Sequence, residues 1–155
     1  MNNKALIEKF YTSMATQDIA GMISCYHDEV AFEDPAFGKL HGERAKNMWR
    51  MLLSNDKVKI DVKFSDVIAN EKAGSANWTA DYNFSQTGRQ VHNVISARFE
   101  FQDNKIIKHT DNFNLHSWSK QALGLSGLLI GWTSFFKKKL QKTTNGKLSR
   151  YMESK

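Results

Sequence analysis

Between Gln90 and Phe113 the chain reads QVHNVISARFEFQDNKIIKHTDNF, two alternating stretches hinged on Asp103-Asn104. In the first, Asn93, Ile95, Ala97, Phe99 and Phe101 fall on one side; in the second, Ile107, His109, Asp111 and Phe113 do. Period-two alternation around a short polar turn predicts a β-hairpin with one buried face. That face carries an aspartate, a histidine and an asparagine among aromatic and aliphatic neighbours.

Working back from the hairpin, Thr87-Gly88 is another turn signal. The stretch Ser75 to Ser85 before it places Trp78, Tyr82 and Phe84 on a common side. Earlier still, Val58, Ile60, Val62 and Phe64 alternate with Lys59, Asp61 and Lys63. With Gln90–Gln102 and Lys105–Ser117, these make four long strands in an antiparallel meander.

Upstream of residue 56 the period is helical. Leu6, Ile7, Phe10 and Met14 mark one face of a helix from Asn3 to Thr16. Asp18 caps a short second helix carrying Ile19, Met22, Ile23 and Tyr26, and Ala45, Met48, Trp49, Leu52 and Leu53 give a third from Glu43 to Ser54. Between them Glu29–Glu33 is a short strand, ended by Asp34-Pro35 and followed by a loop through Gly38 and Gly42. A sheet preceded by three helices buries its apolar face by curling around them, an α+β solution.

At 155 residues the chain suits one core and one site. Its net charge of +6 is confined to the end: residues 1–136 hold 15 Lys/Arg and 15 Asp/Glu, and residues 137–155 hold seven against Glu153. A neutral body, with no aromatics interleaved among those lysines, argues against nucleic acid. The tail from Trp118 mixes Leu128, Leu129, Trp132, Phe135 and Phe136 with Lys137-Lys138-Lys139, broken by Gly124, Gly127 and Gly131. Such a segment suits a solvated helix face, a partner contact, a lid over the pocket, or the surface of an anionic membrane.

Cys25 is the only cysteine, which excludes an internal disulfide, and it reads as a buried thiol. With no apolar run of signal-peptide length before Glu8, the expected location is cytoplasmic. His27, His41, His92 and His116 are scattered without zinc-site spacing, so neither metal nor cofactor is expected.

The helical hairpin leading to Phe32-Glu33-Asp34-Pro35, the loop ending Leu40-His41-Gly42, and the run from Asn104-Lys105-Ile106 to Asp111-Asn112-Phe113 together resemble the nuclear transport factor 2-like superfamily. Within it the likeness is to SnoaL-like proteins, a group shared with steroid delta-isomerases and limonene epoxide hydrolases. The resemblance covers roughly residues 3–118 and implies a domain over 1–118, leaving 119–155 as an amphipathic, basic C-terminal helical extension on or beside the same domain. It implies a cone-shaped curved antiparallel sheet, four long strands plus a short one, packed on three N-terminal helices. It also implies a homodimer through the outer sheet face.

In the steroid isomerases the aspartate of a Glu-Asp-Pro motif shuttles a proton, and Asp34 matches it. Their oxyanion donors, a tyrosine and a protonated aspartic acid, fall here at Phe10, with Tyr11 on another helical face, and at Ala97 or Ser96. Losing one such donor costs about a hundred- to a thousandfold in rate, so steroid-type isomerisation is disfavoured. In the epoxide hydrolases an Arg-x-Asp pair works with a last-strand aspartate. The latter matches Asp111, which also corresponds to the acid/base aspartate of SnoaL-type cyclases, whereas the pair falls at Trp78 and Ala80, and Asp81 has the wrong parity to replace it.

The expected site therefore has Asp111, His109 and Asp34 as proton-moving groups. Phe10, Trp49, Trp78, Tyr82, Asn93, Ile95, Ala97, Phe113 and Trp118 are the expected ligand contacts. The function expected is a cofactor-free isomerase- or cyclase-type reaction on a small apolar substrate. The alternative is an apolar-ligand binding protein whose tail makes partner or membrane contact.

Overall fold

The computed structural model describes residues 2–55 and 59–155, so Val58, expected at the start of the first long strand, lies outside the described residues. In chain order the elements are α1 (Asn3–Ala15), α2 (Ile19–Ile23), β1 (Tyr26–Asp34), β2 (Gly38–His41), α3 (Glu43–Leu53), β3 (Asp61–Ala69), β4 (Ala73–Asn83), β5 (Gln90–Gln102), β6 (Lys105–Asn112), α4 (Leu115–Leu123), α5 (Leu125–Ile130) and α6 (Ser134–Glu153). One curved six-stranded sheet runs in the order β2-β1-β6-β5-β4-β3.

The helical hairpin forms for local reasons. Asn2 caps α1 by accepting the Ala5 N–H at 2.8 Å, and Asp18 caps α2 by accepting that of Gly21 at 2.9 Å. Leu6, Ile7, Phe10, Tyr11 and Met14 of α1 are all buried against the concave sheet face. Buried Cys25 follows α2, its thiol 3.5 Å from the Gly21 carbonyl oxygen.

Four expectations need correction. Tyr26 fits helical spacing after Met22 and Ile23, yet it opens β1, because its backbone pairs in parallel with Ile106 of β6 and the Ile106 N–H donates to the Cys25 carbonyl at 2.8 Å. The β1–β6 pair is thus parallel, so the sheet is mixed rather than wholly antiparallel. The segment from Gly38 is a strand, not a loop: Asp34 pairs with Gly38 across Pro35, Ala36 and Phe37, and Gly38 takes the positive φ of +74° that such a three-residue turn needs. β6 ends at Asn112, where Asn114 caps α4 by accepting the Ser117 N–H at 2.9 Å, so Leu115 to Ser117 are helical.

A bulge also alters the expected parity in β6. Phe101 pairs with Ile106 but Glu100 with Lys108, leaving Ile107 as the extra residue. Ile106 is therefore fully buried and Ile107 only half-buried, while His109 and Asp111 stay inward.

The chain after Trp118 packs onto this frame. A Cβ on Gly127 or Gly131 would collide with Ser119, so these glycines let α5 lie against α4. Leu148 of α6 is fully buried within the main core, and Met152 packs beside it. From the same helix Gln141 donates to the Pro35 carbonyl at 3.1 Å, Thr144 to that of Ala36 at 2.8 Å and Asn145 to that of Phe37 at 2.8 Å. Arg44 of α3 reaches back to the Asn145 side chain at 2.9 Å. Among the described residues no helix is long and apolar enough to cross a membrane.

Because α6 contributes to the core, Leu148→Ala is expected to lower unfolding stability by about 3 kcal/mol, as buried leucine truncations do. Urea denaturation measures it, and a change under about 0.5 kcal/mol, the range of surface substitutions, is the contrary result.

Candidate functional site

Asp34 ends β1 and Asp111 lies near the end of β6. Glu33 pairs with Thr110 in the parallel ladder, so one step further sets Asp34 and Asp111 side by side on the concave face. Both carboxylates line one cavity of about 620 Å³, a size suited to a small organic molecule. Its walls are mainly apolar, and Asn93 and Tyr82 add polar groups beside the two acids.

Each carboxylate has one oxygen anchored. Asp34 Oδ1 accepts the backbone N–H groups of Ala36 at 2.9 Å and Phe37 at 2.6 Å, the turn that shapes the β1–β2 hairpin. Asp111 Oδ1 accepts from His109 Nε2 at 2.8 Å and from the Trp78 indole at 3.3 Å. Among the described residues Oδ2 has no partner in either acid, so it remains for a ligand.

Behind Asp111 the polar groups continue inward. His109 Nδ1 is 2.7 Å from the Tyr26 hydroxyl, which accepts the Trp49 indole N–H at 2.9 Å. Counting donors orients the chain: with the proton on Nε2, the imidazole donates to Asp111, Tyr26 donates to Nδ1, and no hydrogen is unused. With the proton on Nδ1 the tyrosine hydrogen would be stranded in an apolar shell. Phe10, Phe32 and Phe99 enclose the imidazole, with ring centroids 5.4, 5.2 and 4.5 Å from it. Burial raises the Tyr26 hydroxyl well above its ordinary pKa, keeping it a neutral donor.

Asp34 differs. Burial, then the negative charge of Asp111, raise its pKa to about 7 against the pull of the Phe37 and Ala36 N–H groups. Near neutral pH it is thus a mixture of acid and carboxylate. Tyr82 accepts the Trp118 indole N–H at 2.7 Å and keeps its own O–H uncommitted among the described residues; burial raises its pKa as well.

Of the residues expected in the site, Trp49, Trp78, Tyr82, Asn93, Ile95, Phe113 and Trp118 line the cavity with Asp34 and Asp111. Phe10, Ala97 and His109 do not. Phe10 and His109 lie behind the wall, and Ala97 is the buried cross-strand partner of Asp111. Asp81 points to the other face, 2.6 Å from His92, while Trp78 and Ala80 face the cavity. Tyr11, also behind the wall, has a buried hydroxyl without a partner among the described residues. Phe37, Met48 and the α6 residues Leu140 and Lys147 line the cavity without having been singled out for it, Phe136 and Lys139 come from the tail expected as a possible lid, and Tyr26 supports the site from behind the wall. Among the described residues no three potential ligands gather as a metal site requires.

Residues 7–109 match the family model of the SnoaL-like domain. No curated protein matches the chain. Among solved structures, an epoxide hydrolase of the LEH-like type from M. tuberculosis superposes with a TM-score of 0.65 at 21% identity, covering 81% of this chain and 92% of that one. TerC, crystallised with polyporic acid, gives 0.63 at 15% identity, covering 76% and 95%. A nuclear transport factor 2-like protein of unknown function from Burkholderia pseudomallei gives 0.61 at 14%, covering 74% and 92%. At these identities the likeness is one of fold.

The raised pKa of Asp34 has a signed consequence for stability. Between its unfolded value of 3.8 and about 7 the folded state holds the extra proton, so this group's contribution is full below pH 4 and declines as pH rises towards 7. Asp34→Asn keeps the oxygen that accepts the two N–H groups and removes the titration. Urea denaturation should show the variant losing less stability than the parent between pH 4 and 8; parallel curves would contradict the assignment.

Proposed function

Because the chain belongs to the SnoaL-like domain family and sets two inequivalent carboxylates in one apolar cavity, we propose that it is a cofactor-free acid–base catalyst of isomerase or cyclase type. Its substrate is a small apolar molecule bearing a carbonyl. The observation that carries this reading is the pair itself: Asp34 and Asp111, cross-strand neighbours with one free oxygen each, of which Asp34 has a pKa of about 7. A carboxyl raised in pKa beside a second carboxyl is suited to hold the proton that the other does not, the division of roles that proton transfer needs.

In this reading Asp111 removes a proton from the carbon beside the carbonyl. The C–H electron pair becomes the enol double bond, and the carbonyl oxygen takes its proton from Asp34. Reversal at another carbon isomerises the substrate; attack of the enol carbon on a second carbonyl within it closes a ring. The Tyr82 hydroxyl, its oxygen already polarised by Trp118, is a further donor to the developing oxyanion. His109, backed by Tyr26 and Trp49, positions Asp111 and does not touch substrate. Epoxide opening, the activity named for the M. tuberculosis relative, is less well supported, because Trp78 and Ala80 occupy the wall where a second water-holding group is needed.

The test is exchange of the α-hydrogens of a panel of cyclic ketones and diketones in deuterated buffer, followed by mass spectrometry. Asp111→Asn is expected to reduce exchange by about 10² to 10⁴, the usual range for a general base, with little change in KM. Exchange should fall as pH rises above 7, where Asp34 no longer carries the proton. Unchanged exchange in Asp111→Asn removes the catalytic reading and leaves the cavity as a binding site.

A further inference from the structure

The second feature of the molecule without an evident use is its apolar surface around α5. Leu125, Leu128, Leu129, Ile130, Trp132 and Phe135 are between 45% and 72% exposed, all within eleven consecutive residues. The packing forces this: Gly127 and Gly131 press against Ser119 of α4, so the leucines beside them turn outward. Contiguous exposed apolar side chains of this size mark an interaction surface.

Charge says what it meets. No Asp or Glu occurs between Asp111 and Glu153, whereas Lys137, Lys138, Lys139 and Lys142 follow Phe135 immediately, all exposed. We infer that the α5 cluster and the first turns of α6 dock onto an anionic lipid surface, the apolar side chains entering the acyl boundary and the lysines meeting headgroup phosphates. A second copy fits less well, since a two-fold contact would set this basic stretch, which has no acid between Asp111 and Glu153, against the same stretch of its partner. For a nucleic acid the face fits less well, since four of its six apolar residues are aliphatic and Trp132 and Phe135 precede the lysines rather than alternating with them as stacking sites do.

The same stretch forms part of the cavity wall. Leu123, Phe136, Lys139 and Leu140 line the cavity, and Lys139 is both exposed and lining, which sets it at the rim. Phe135 stands one helical turn before Lys139, on the same side of α6. The rim therefore borders the docking face, and an apolar ligand dissolved in a bilayer has a short route from lipid to Asp34 and Asp111. Docking rests on the surface alone and holds whether or not the cavity turns a ligand over.

The experiment uses the full chain with extruded vesicles of phosphatidylglycerol and phosphatidylcholine, and with phosphatidylcholine alone. Trp49, Trp78 and Trp118 are buried while Trp132 is 70% exposed, so Trp132 is the natural reporter. Its emission should shift to the blue and be quenched by brominated acyl chains on anionic vesicles. Co-sedimentation should weaken at least about tenfold in a Trp132→Ser/Phe135→Ser variant and fall steeply with added salt. The variant's unchanged thermal unfolding shows that the loss is of docking. Equal binding to the two vesicle types, quenching absent on both, or a variant that binds as tightly as the parent overturns the proposal. So does a concentration-dependent dimer that the double variant abolishes without any vesicle binding, which assigns the face to a second copy.

Discussion

A buried row of hydrogen bonds, running from the Trp49 indole through Tyr26 and His109 to Asp111 and meeting the Trp78 indole there, ties together α3, β1, β6 and β4. Each of these groups would be costly to bury alone. Together every donor has an acceptor, and the loss of one member would strand its neighbour at about 1–3 kcal/mol. The network explains why an imidazole can sit fully buried among Phe10, Phe32 and Phe99. It also holds Asp111 so that one oxygen is spent and the other faces the cavity.

The neighbouring strand sets up the contrast. Asp34 occupies the same level as Asp111, but its anchors are two backbone N–H groups of a tight turn, and the turn is clamped by α6 through Pro35, Ala36 and Phe37. Burial and the adjacent charge then outweigh those two bonds. The C-terminal helix thus serves the chemistry twice: it fixes the hairpin carrying Asp34, and it supplies Phe136 and Leu140 to the cavity wall.

How much of this could be read without coordinates follows from which interactions are local. Strand β5 was legible to its ends because its alternation is long and its turns are marked by Thr87-Gly88 and Asp103-Asn104. The inward placing of His109 and Asp111 followed from the same period. Tyr26 was not legible as a strand residue, since Met22, Ile23 and Tyr26 satisfy helical spacing and only pairing with Ile106, 80 residues away in number, decides otherwise. The Ile107 bulge shifted one residue for a similar reason. In α6 the spacing of Phe136, Leu140, Thr144 and Leu148 is that of a helical seam, but the cluster of glycines before it and the run of lysines obscured it. The coupling of Asp34 to Asp111 required the parallel register, which no local pattern encodes.

Two acids share one cavity, and Asp34 is raised to about 7 there by burial and by the charge of Asp111. Titration of the Asp34 carboxyl carbon by NMR in selectively labelled protein measures this directly, in the parent chain and in Asp111→Asn. The midpoint is expected near 7 in the parent and lower in the variant, where the neighbouring charge is gone. A midpoint at the ordinary value of 3.8, unmoved by the substitution, would contradict it.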